Sequence, residues 1–386
     1  MALLSELLLE PTRNGLTKPK AIRGAGVKMI AMGEIFAHSR IGNIKMERVP
    51  VTDKEWSNYA IQEGDLLFAR QSLVLEGAGK CSIVKTVKEA TVFESHLIRV
   101  RINKKKANPY FLYYYFNSSI GKENVQTIVE QVAAAGIRSR DLIKLHVPCP
   151  PLEQQNRIVA LLDYIDCKIE INKKINDNLA DLLQTFYQKQ FGNVSSASTQ
   201  GKLSDLCSYS RDRVPVSALD ANTYFSTENM LPGKAGATEA TSLPTAPQTT
   251  ACHKGDTLVS NIRPYFKKIV YCQDECGCST DVLCFTPVQP KYTSYLFSTL
   301  FADKFFAFMV AGSKGTKMPR GDKQQIMSYP VALPSDDELD EFNSLTIPIL
   351  EQFHSNRVEN KKLSAAREAL LPKLMSGEID VTGIRL

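Results

Sequence analysis

The chain has 386 residues, 43% hydrophobic and 23% charged, with 47 basic against 41 acidic side chains and a formal net charge of +6. That length indicates two or three domains, since one core rarely grows so large, and the composition excludes wholesale disorder. The apolar start MALLSELLLEPTRN carries Glu6 and Glu10 without a basic leader, so no signal peptide is expected, and no apolar run reaches the roughly 18 residues of a membrane span. Nine scattered cysteines then read as reduced thiols of a cytosolic protein.

Residues 1–150 carry a net charge of +8 and read as mixed α/β. Cys81–Val84 and His96–Ile102 alternate like short strands, and Tyr110–Asn117 reads as an apolar helix. Residues 151–200 fall to −1 and change to a helical period. The spacing predicts a short helix over 152–162 and a long one over 164–191, ended by Phe191-Gly192, with Asn193–Gln200 as a polar hinge. Residues 201–334 return to +3, with strands expected at Thr257–Asn261 and Val282–Phe285 and an apolar helix at Tyr295–Phe308. A long surface loop is expected between Asn229 and Thr250. Residues 335–386, at −4, repeat the helical pattern. Pro348 is tolerated only in a first turn, so Thr346 is the expected N-cap, splitting the region into helices 336–345 and 347–371, ended by Pro372 with Gly377 beyond.

Self-similarity ties these blocks together. Leu3-Leu4-Ser5-Glu6-Leu7 recurs as Lys202-Leu203-Ser204-Asp205-Leu206, and Glu63-Gly64-Asp65-Leu66-Leu67 as Lys254-Gly255-Asp256-Thr257-Leu258. The run Ile143–Pro151 matches Ile326–Pro334. Both helical regions carry a heptad stripe: Ile158, Leu161, Ile165, Lys168, Asn172, Ile175, Leu179, Leu182 and Phe186, then their counterparts 184 residues later, among them Ile349, Asn356, Leu363 and Leu370. Asn172 and Asn356 fall in corresponding seam positions, where a buried amide penalises wrong registers. The expected fold is α+β: two duplicated mixed α/β domains separated by two long helices that form an antiparallel coiled coil.

Two net-basic segments fit a polyanion partner. Arg70 with Gln71, and Asn261 with Arg263, follow the two Gly-Asp turns in corresponding places. Such side chains present paired hydrogen bonds to base edges, although an arginine serves phosphate equally well. Tyr265, Lys267 and Lys268 suit phosphate positioning. Gly136-Ile137-Arg138-Ser139-Arg140 corresponds loosely to Gly315–Arg320; small residues with closely spaced cations such as Arg138, Ser139, Arg140, Lys317 and Arg320 suit a loop pressed on DNA. Ser39 and Arg40 are weaker candidates, and Lys104-Lys105-Lys106 reads as an exposed turn.

The longest motifs carry a family resemblance. They are Pro150-Pro151-Leu152-Glu153-Gln154-Gln155-Asn156-Arg157-Ile158, Ala369-Leu370-Leu371-Pro372-Lys373-Leu374-Met375-Ser376-Gly377-Glu378-Ile379, Gly64–Ser72, Gly255–Tyr265 and Lys314–Asp322. Over essentially its whole length the chain resembles the specificity subunit of a type I restriction–modification system. One departure is Pro334-Ser335-Asp336-Asp337-Glu338, which replaces a second PLEQQ. The resemblance implies target-recognition domains at 1–150 and 201–334, alternating with helical spacers at 151–200 and 335–386, the latter with a C-terminal tail. It implies a non-catalytic reader of double-stranded DNA, cytoplasmic and serving phage defence. The reader would hold two methyltransferase subunits and through them recruit restriction (translocase and nuclease) subunits. S-adenosylmethionine and ATP would bind those partners, leaving this chain without a cofactor.

Enzyme motifs are poor. Asn108-Pro109-Tyr110-Phe111 is similar to the Asn-Pro-Pro-Phe element of amino-methyltransferases but lacks the second proline, and no glycine-rich phosphate loop follows a strand. Cys272, Cys276 and Cys278, with Cys252 and Cys284 nearby, have irregular spacing for zinc and read as core or loop thiols. A free-standing bipartite DNA-binding regulator remains open beside the specificity-subunit reading.

Overall fold

The computed structural model describes residues 1–72, 77–131, 135–192 and 199–381; most of the hinge expected at Asn193–Gln200 lies outside the described residues. The chain divides into two compact units, one of Met1–Glu170 with Asn360–Leu386, the other of Ile171–Glu359. These differ from the four sequential blocks expected, because each long helix contributes one part to each unit.

Unit 1 is organised by the strand Leu66–Ala69, all four residues buried. It pairs antiparallel with Leu97–Val100 and Cys81–Val84, with Arg13–Asn14 and Arg40–Ile41 at the edges of the five-stranded sheet. Such an unbroken apolar run needs cover on both faces. Leu66 and Phe68 pack under the helix Pro109–Asn117, while Leu67 and Ala69 meet Ile30, Ile35 and Phe93. In unit 2 the strand Thr257–Ser260 is equally buried and lies between Val282–Pro287 and Ile269–Tyr271. Val259 faces the helix Thr293–Phe301, and Leu258 faces a small core containing Met230, Cys252, Cys272, Cys276, Cys278 and Cys284.

The Gly-Asp turns that introduce these strands are built alike. Gly64 and Gly255 adopt φ of +91° and +95°, which favours glycine. The buried carboxylates that follow close the turns: Asp65 accepts from the Gln62 N–H at 2.7 Å and Asp256 from the His253 N–H at 2.8 Å. Return pairings also correspond, one residue out of step with the expected match of Ile143 to Ile326, since His146 takes the place of Pro330. Leu3 pairs with His146 in unit 1, and Lys202 with Pro330 in unit 2.

Asn108 caps its helix, its Oδ1 accepting the Tyr110 N–H with Pro109 in the first turn, so Asn-Pro-Tyr-Phe is a helix start. The single helix expected over Tyr295–Phe308 is instead two, Thr293–Phe301 and Asp303–Ala311, meeting at 65° about an extended Ala302. That bend lets Leu296, Leu300, Phe305, Phe306 and Met309 share one core. Among the described residues no single helix is long and apolar enough to cross a membrane.

Each helical region is one helix: Leu152–Phe191 without a break at 163, and Asp336–Ser376 running through Pro348 and Pro372. A proline in a helix interior costs about 3 kcal/mol. Buried neighbours on both sides offset it, with Phe342, Ile349 and Leu350 around Pro348 and Leu371, Leu374 and Met375 around Pro372. Burying each such side chain contributes about 1.5–3 kcal/mol. Thr346 is therefore no cap; its buried hydroxyl donates to the Phe342 carbonyl at 2.7 Å. Ser335 and Glu338 form the capping box, and Gly377, at φ +79°, ends the helix.

Within unit 2 the two helices run in opposite directions. Asn172 donates to Glu359 at 2.6 Å, Asn356 to Asn176 at 2.8 Å, and Gln190 to the Glu338 carbonyl at 3.2 Å. Ile165, Asn172, Ile349 and Asn356 are buried as expected, and Leu179, Leu363 and Leu370 partly so. Ile175 and Leu182 are not in the seam but exposed. Asn176 and Leu183, one residue later, take their places, as do Leu162 for Leu161 and Ile169 for Lys168. The helical pitch of 3.6 residues makes spacings of four and three interchangeable in a sequence stripe.

Candidate nucleic-acid interface

In each unit the segment following the Gly-Asp strand is joined through its backbone to the segment preceding the return strand. In unit 1, Gln71–Ser72 pairs with Ala135–Gly136, and the Ile137 N–H donates to the Arg70 carbonyl at 2.9 Å. A side chain at position 136 would approach that carbonyl to 3.1 Å, so Gly136 lets the segments close. In unit 2, Ile262 bridges Arg320, the Gly321 N–H donates to the Asn261 carbonyl at 3.2 Å, and the Arg263 N–H to the Pro319 carbonyl at 2.8 Å. The expected partners are therefore brought together in both units. Their register corrects the expected correspondence, because Gly136 and Ile137 take the places of Arg320 and Gly321, not of Gly315 and Thr316. The hydrogen-bond ladder fixes this; loop composition does not reveal it. Arg138 accordingly occupies the helix N-cap position held by Asp322 in unit 2.

The candidate side chains differ in freedom. Gln71 is exposed and Arg70 half-buried at the head of the unit 1 pairing. Arg138 is held by Glu130 at 2.5 Å, and the Ser139 hydroxyl donates to Asn14 at 3.1 Å. Arg140 projects, 68% exposed, with Asp141 at 3.6 Å. Arg40 is withdrawn from any surface role. Its guanidinium pairs with Asp163 and lies 3.4 Å from Asp166, which also accepts from the Tyr114 hydroxyl and from Arg367, each at 2.8 Å. Burial, with Asp166 beside it, pushes the Tyr114 hydroxyl well above the usual phenol range.

Asn261 is corrected from a base contact. It is 7% exposed, and its Oδ1 lies in the interior next to Gly321 with no hydrogen-bond partner among the described residues. Its carboxamide does not reach outward. Arg263, at φ +49°, is half-buried in the same turn, its Nε buried and without a partner among the described residues. Lys267 shares Asp303 with Lys234, at 2.9 and 2.7 Å, and the two ammonium groups hold that carboxyl below its usual range. Lys268 donates to the Thr227 carbonyl at 2.5 Å. Arg320 pairs with Asp281 at 3.0 Å, whereas Lys317 is exposed at the tip of the Lys314–Arg320 loop. Phe266 and Met318, both exposed, were missed; the signal was an apolar residue set among cations. Among the described residues no group of His, Cys, Asp or Glu is arranged to hold a metal ion.

A titratable clasp lies in unit 2. His253 places Nδ1 2.5 Å from Glu275 and Nε2 3.2 Å from Asp212, and the two carboxylates raise its pKa. With the folded value raised, the clasp stabilises fully below the unfolded value near 6.5 and is lost as pH rises through the folded one. An NMR titration of the His253 ring should give a midpoint above 6.5. His253→Gln should abolish the corresponding part of the stability–pH curve; an unchanged curve would refute the clasp.

These folds and paired loops define a class. The S subunit of the type I restriction–modification system from M. genitalium superposes with a TM-score of 0.56 at 14% identity, covering 97% of this chain and 95% of that one, so the fold is shared. Residues 25–181 match the family model of the type I restriction modification DNA specificity domain. The EcoKI specificity subunit of Escherichia coli (strain K12) is 26% identical over 209 residues, 53% of this chain and 45% of that protein. A putative MjaX specificity subunit from Methanocaldococcus jannaschii is 30% identical over 171 residues, 44% and 40% respectively. The chain spans less than half the length of these curated relatives in the matches.

Proposed function

We propose that the chain is the DNA sequence-specificity subunit of a type I restriction–modification complex, non-catalytic and without a cofactor of its own. It reads a bipartite, asymmetric target in double-stranded DNA, one half with each recognition domain. The observation that carries this is the joined pair of loops, present in both units on the same strand framework. Matching Gly-Asp turns and matching return pairings support descent of both units from one duplicated domain. The opposed helices, with amides in their seam, support an antiparallel coiled coil that sets the gap between half-targets. Ile171, Ile175 and Leu182 leave an exposed apolar stripe on unit 2, suited to docking methyltransferase subunits, which would bind S-adenosylmethionine and recruit the ATP-driven restriction subunits. Such a complex works in the cytoplasm, in phage defence.

The test is methylation. The chain co-expressed with its methyltransferase partner should impose a split motif on genomic DNA, and Arg263→Ala should relax or abolish one half of it. A single arginine–base contact contributes about 1–3 kcal/mol, roughly ten- to a hundredfold in discrimination. An unchanged motif would remove Arg263 from base reading. Tight, specific gel-shift binding by the chain alone would instead favour a free-standing regulator.

A further inference from the structure

The turn Pro264–Phe266 in unit 2 has an unusual construction. It is a single 3-10 turn flanked by two non-glycine residues in the left-handed region, Arg263 at φ +49° and Lys267 at φ +51°. Bulky residues held there store strain, which tends to persist where function requires the geometry. The surroundings hold it firmly. Within the turn, the Phe266 N–H donates to the Arg263 carbonyl and the Lys267 N–H to the Pro264 carbonyl, each at 2.9 Å. From outside, the Gly233 N–H donates to the Phe266 carbonyl at 2.8 Å, and the Lys234 N–H to the Lys267 carbonyl at 2.9 Å. Pro264 is buried beneath.

This framework presents two rings outward. Tyr265 is 50% and Phe266 39% exposed, with ring centroids 4.7 Å apart. Two exposed aromatic rings on a pinned turn bear no relation to the core. Arg263 directly precedes them, the Lys268 ammonium lies 6.0 Å from the Phe266 ring centroid, and Lys234 and Lys267 share the single carboxylate of Asp303. The local excess is cationic, which favours a nucleic acid over an apolar protein surface as the occupant.

We propose that Tyr265 and Phe266 form an aromatic wedge that stacks on, and partly opens, a base step of the duplex gripped by unit 2. The inference rests on the DNA-reading role and adds to it a deformation-dependent component of specificity. Side chains that enter the base stack kink the duplex at steps that unstack easily, so the wedge selects for deformable steps without hydrogen-bonding their edges. Because the backbone that carries the rings is already pinned, less ordering entropy opposes insertion. The hydroxyl of Tyr265 is dispensable in this role; its ring is not.

The test uses the chain assembled with its methyltransferase partner and a duplex bearing its own methylated target, with 2-aminopurine placed in turn at each position of the half-site read by unit 2. Binding should raise fluorescence at one step, the mark of an unstacked base. Tyr265→Phe should retain that signal. Tyr265→Ala and Phe266→Ala should abolish it and weaken binding about tenfold, since stacking on one base accounts for roughly that or more, with assembly and melting temperature unchanged. Specific binding by the unsubstituted complex without a fluorescence change at any step would overturn the wedge alone. So would alanine variants that bind DNA normally but no longer assemble with the methyltransferase, which would mark the rings as a protein contact. Failure of the unsubstituted complex to bind any duplex would remove the DNA-reading role and the wedge together.

Discussion

Arg40→Met should lower the unfolding free energy of unit 1 by about 3–5 kcal/mol, the usual cost of removing one partner from a buried ion pair. The magnitude follows from Asp166. Its side chain is 8% exposed and the Arg40 side chain 6%, so water cannot replace the lost charge. Asp163 and Glu170 are each 40% exposed, so their pairing with Arg40 contributes little by itself. Arg367 and the Tyr114 hydroxyl remain on Asp166 and limit the loss. Lys85→Met, which breaks only the partly exposed pair with Glu170, is the control and should cost at most about 1 kcal/mol. Urea unfolding followed by hydrogen exchange in Leu97–Val100 isolates unit 1. Equal effects of the two substitutions would show that the buried cluster contributes no more than a surface pair.

Removing one heptad from each long helix, Asn172–Asn178 and the facing Phe353–Glu359, should reduce methylation of the original target by at least about a hundredfold. Seven residues preserve the phase of the seam but shorten each helix by about 10 Å, close to three base pairs. Three base pairs also turn the duplex by roughly 100°, so one recognition domain no longer faces its half-target. Losing two base contacts at about 1–3 kcal/mol each accounts for the expected drop. The deletion also removes the amide layer, so Asn172→Leu with Asn356→Leu, at unchanged length, is the companion. It should leave the methylated motif intact. Retention of the original motif by the shortened chain would end the proposal that the helices set the gap.

Much of this organisation was legible in the sequence. Glycine followed by aspartate signals a left-handed turn closed by a buried carboxylate, and both copies fold that way at Gly64-Asp65 and Gly255-Asp256. The strand at Cys81–Val84 was visible from strand-like alternation, although all four of its residues prove buried. What escaped depended on contacts between distant segments. A sequence stripe admits Ile175 or Asn176 equally, and only the opposing helix chooses Asn176. Pro348 argues locally for a break, yet Phe342 and Ile349 on either side are anchored in one core. Asn261 and Arg263 look equivalent as candidates until the Gly321 loop closes over the first, while the second stays half-buried. Arg40 looked like a surface cation because its acidic partners lie more than 120 residues away.

The division of the chain bears on the order in which it can fold on the ribosome. Leu371, Leu374, Met375 and Val381 complete the core built by Leu4, Phe68, Phe111 and Ile158. These closing residues emerge only after the whole of unit 2 has been translated. The portion made first must therefore wait, incompletely sealed, while the portion made second can close around its own two helical stretches. A chain truncated after residue 359 and released from the ribosome should hold a protease-resistant second half and a still vulnerable beginning.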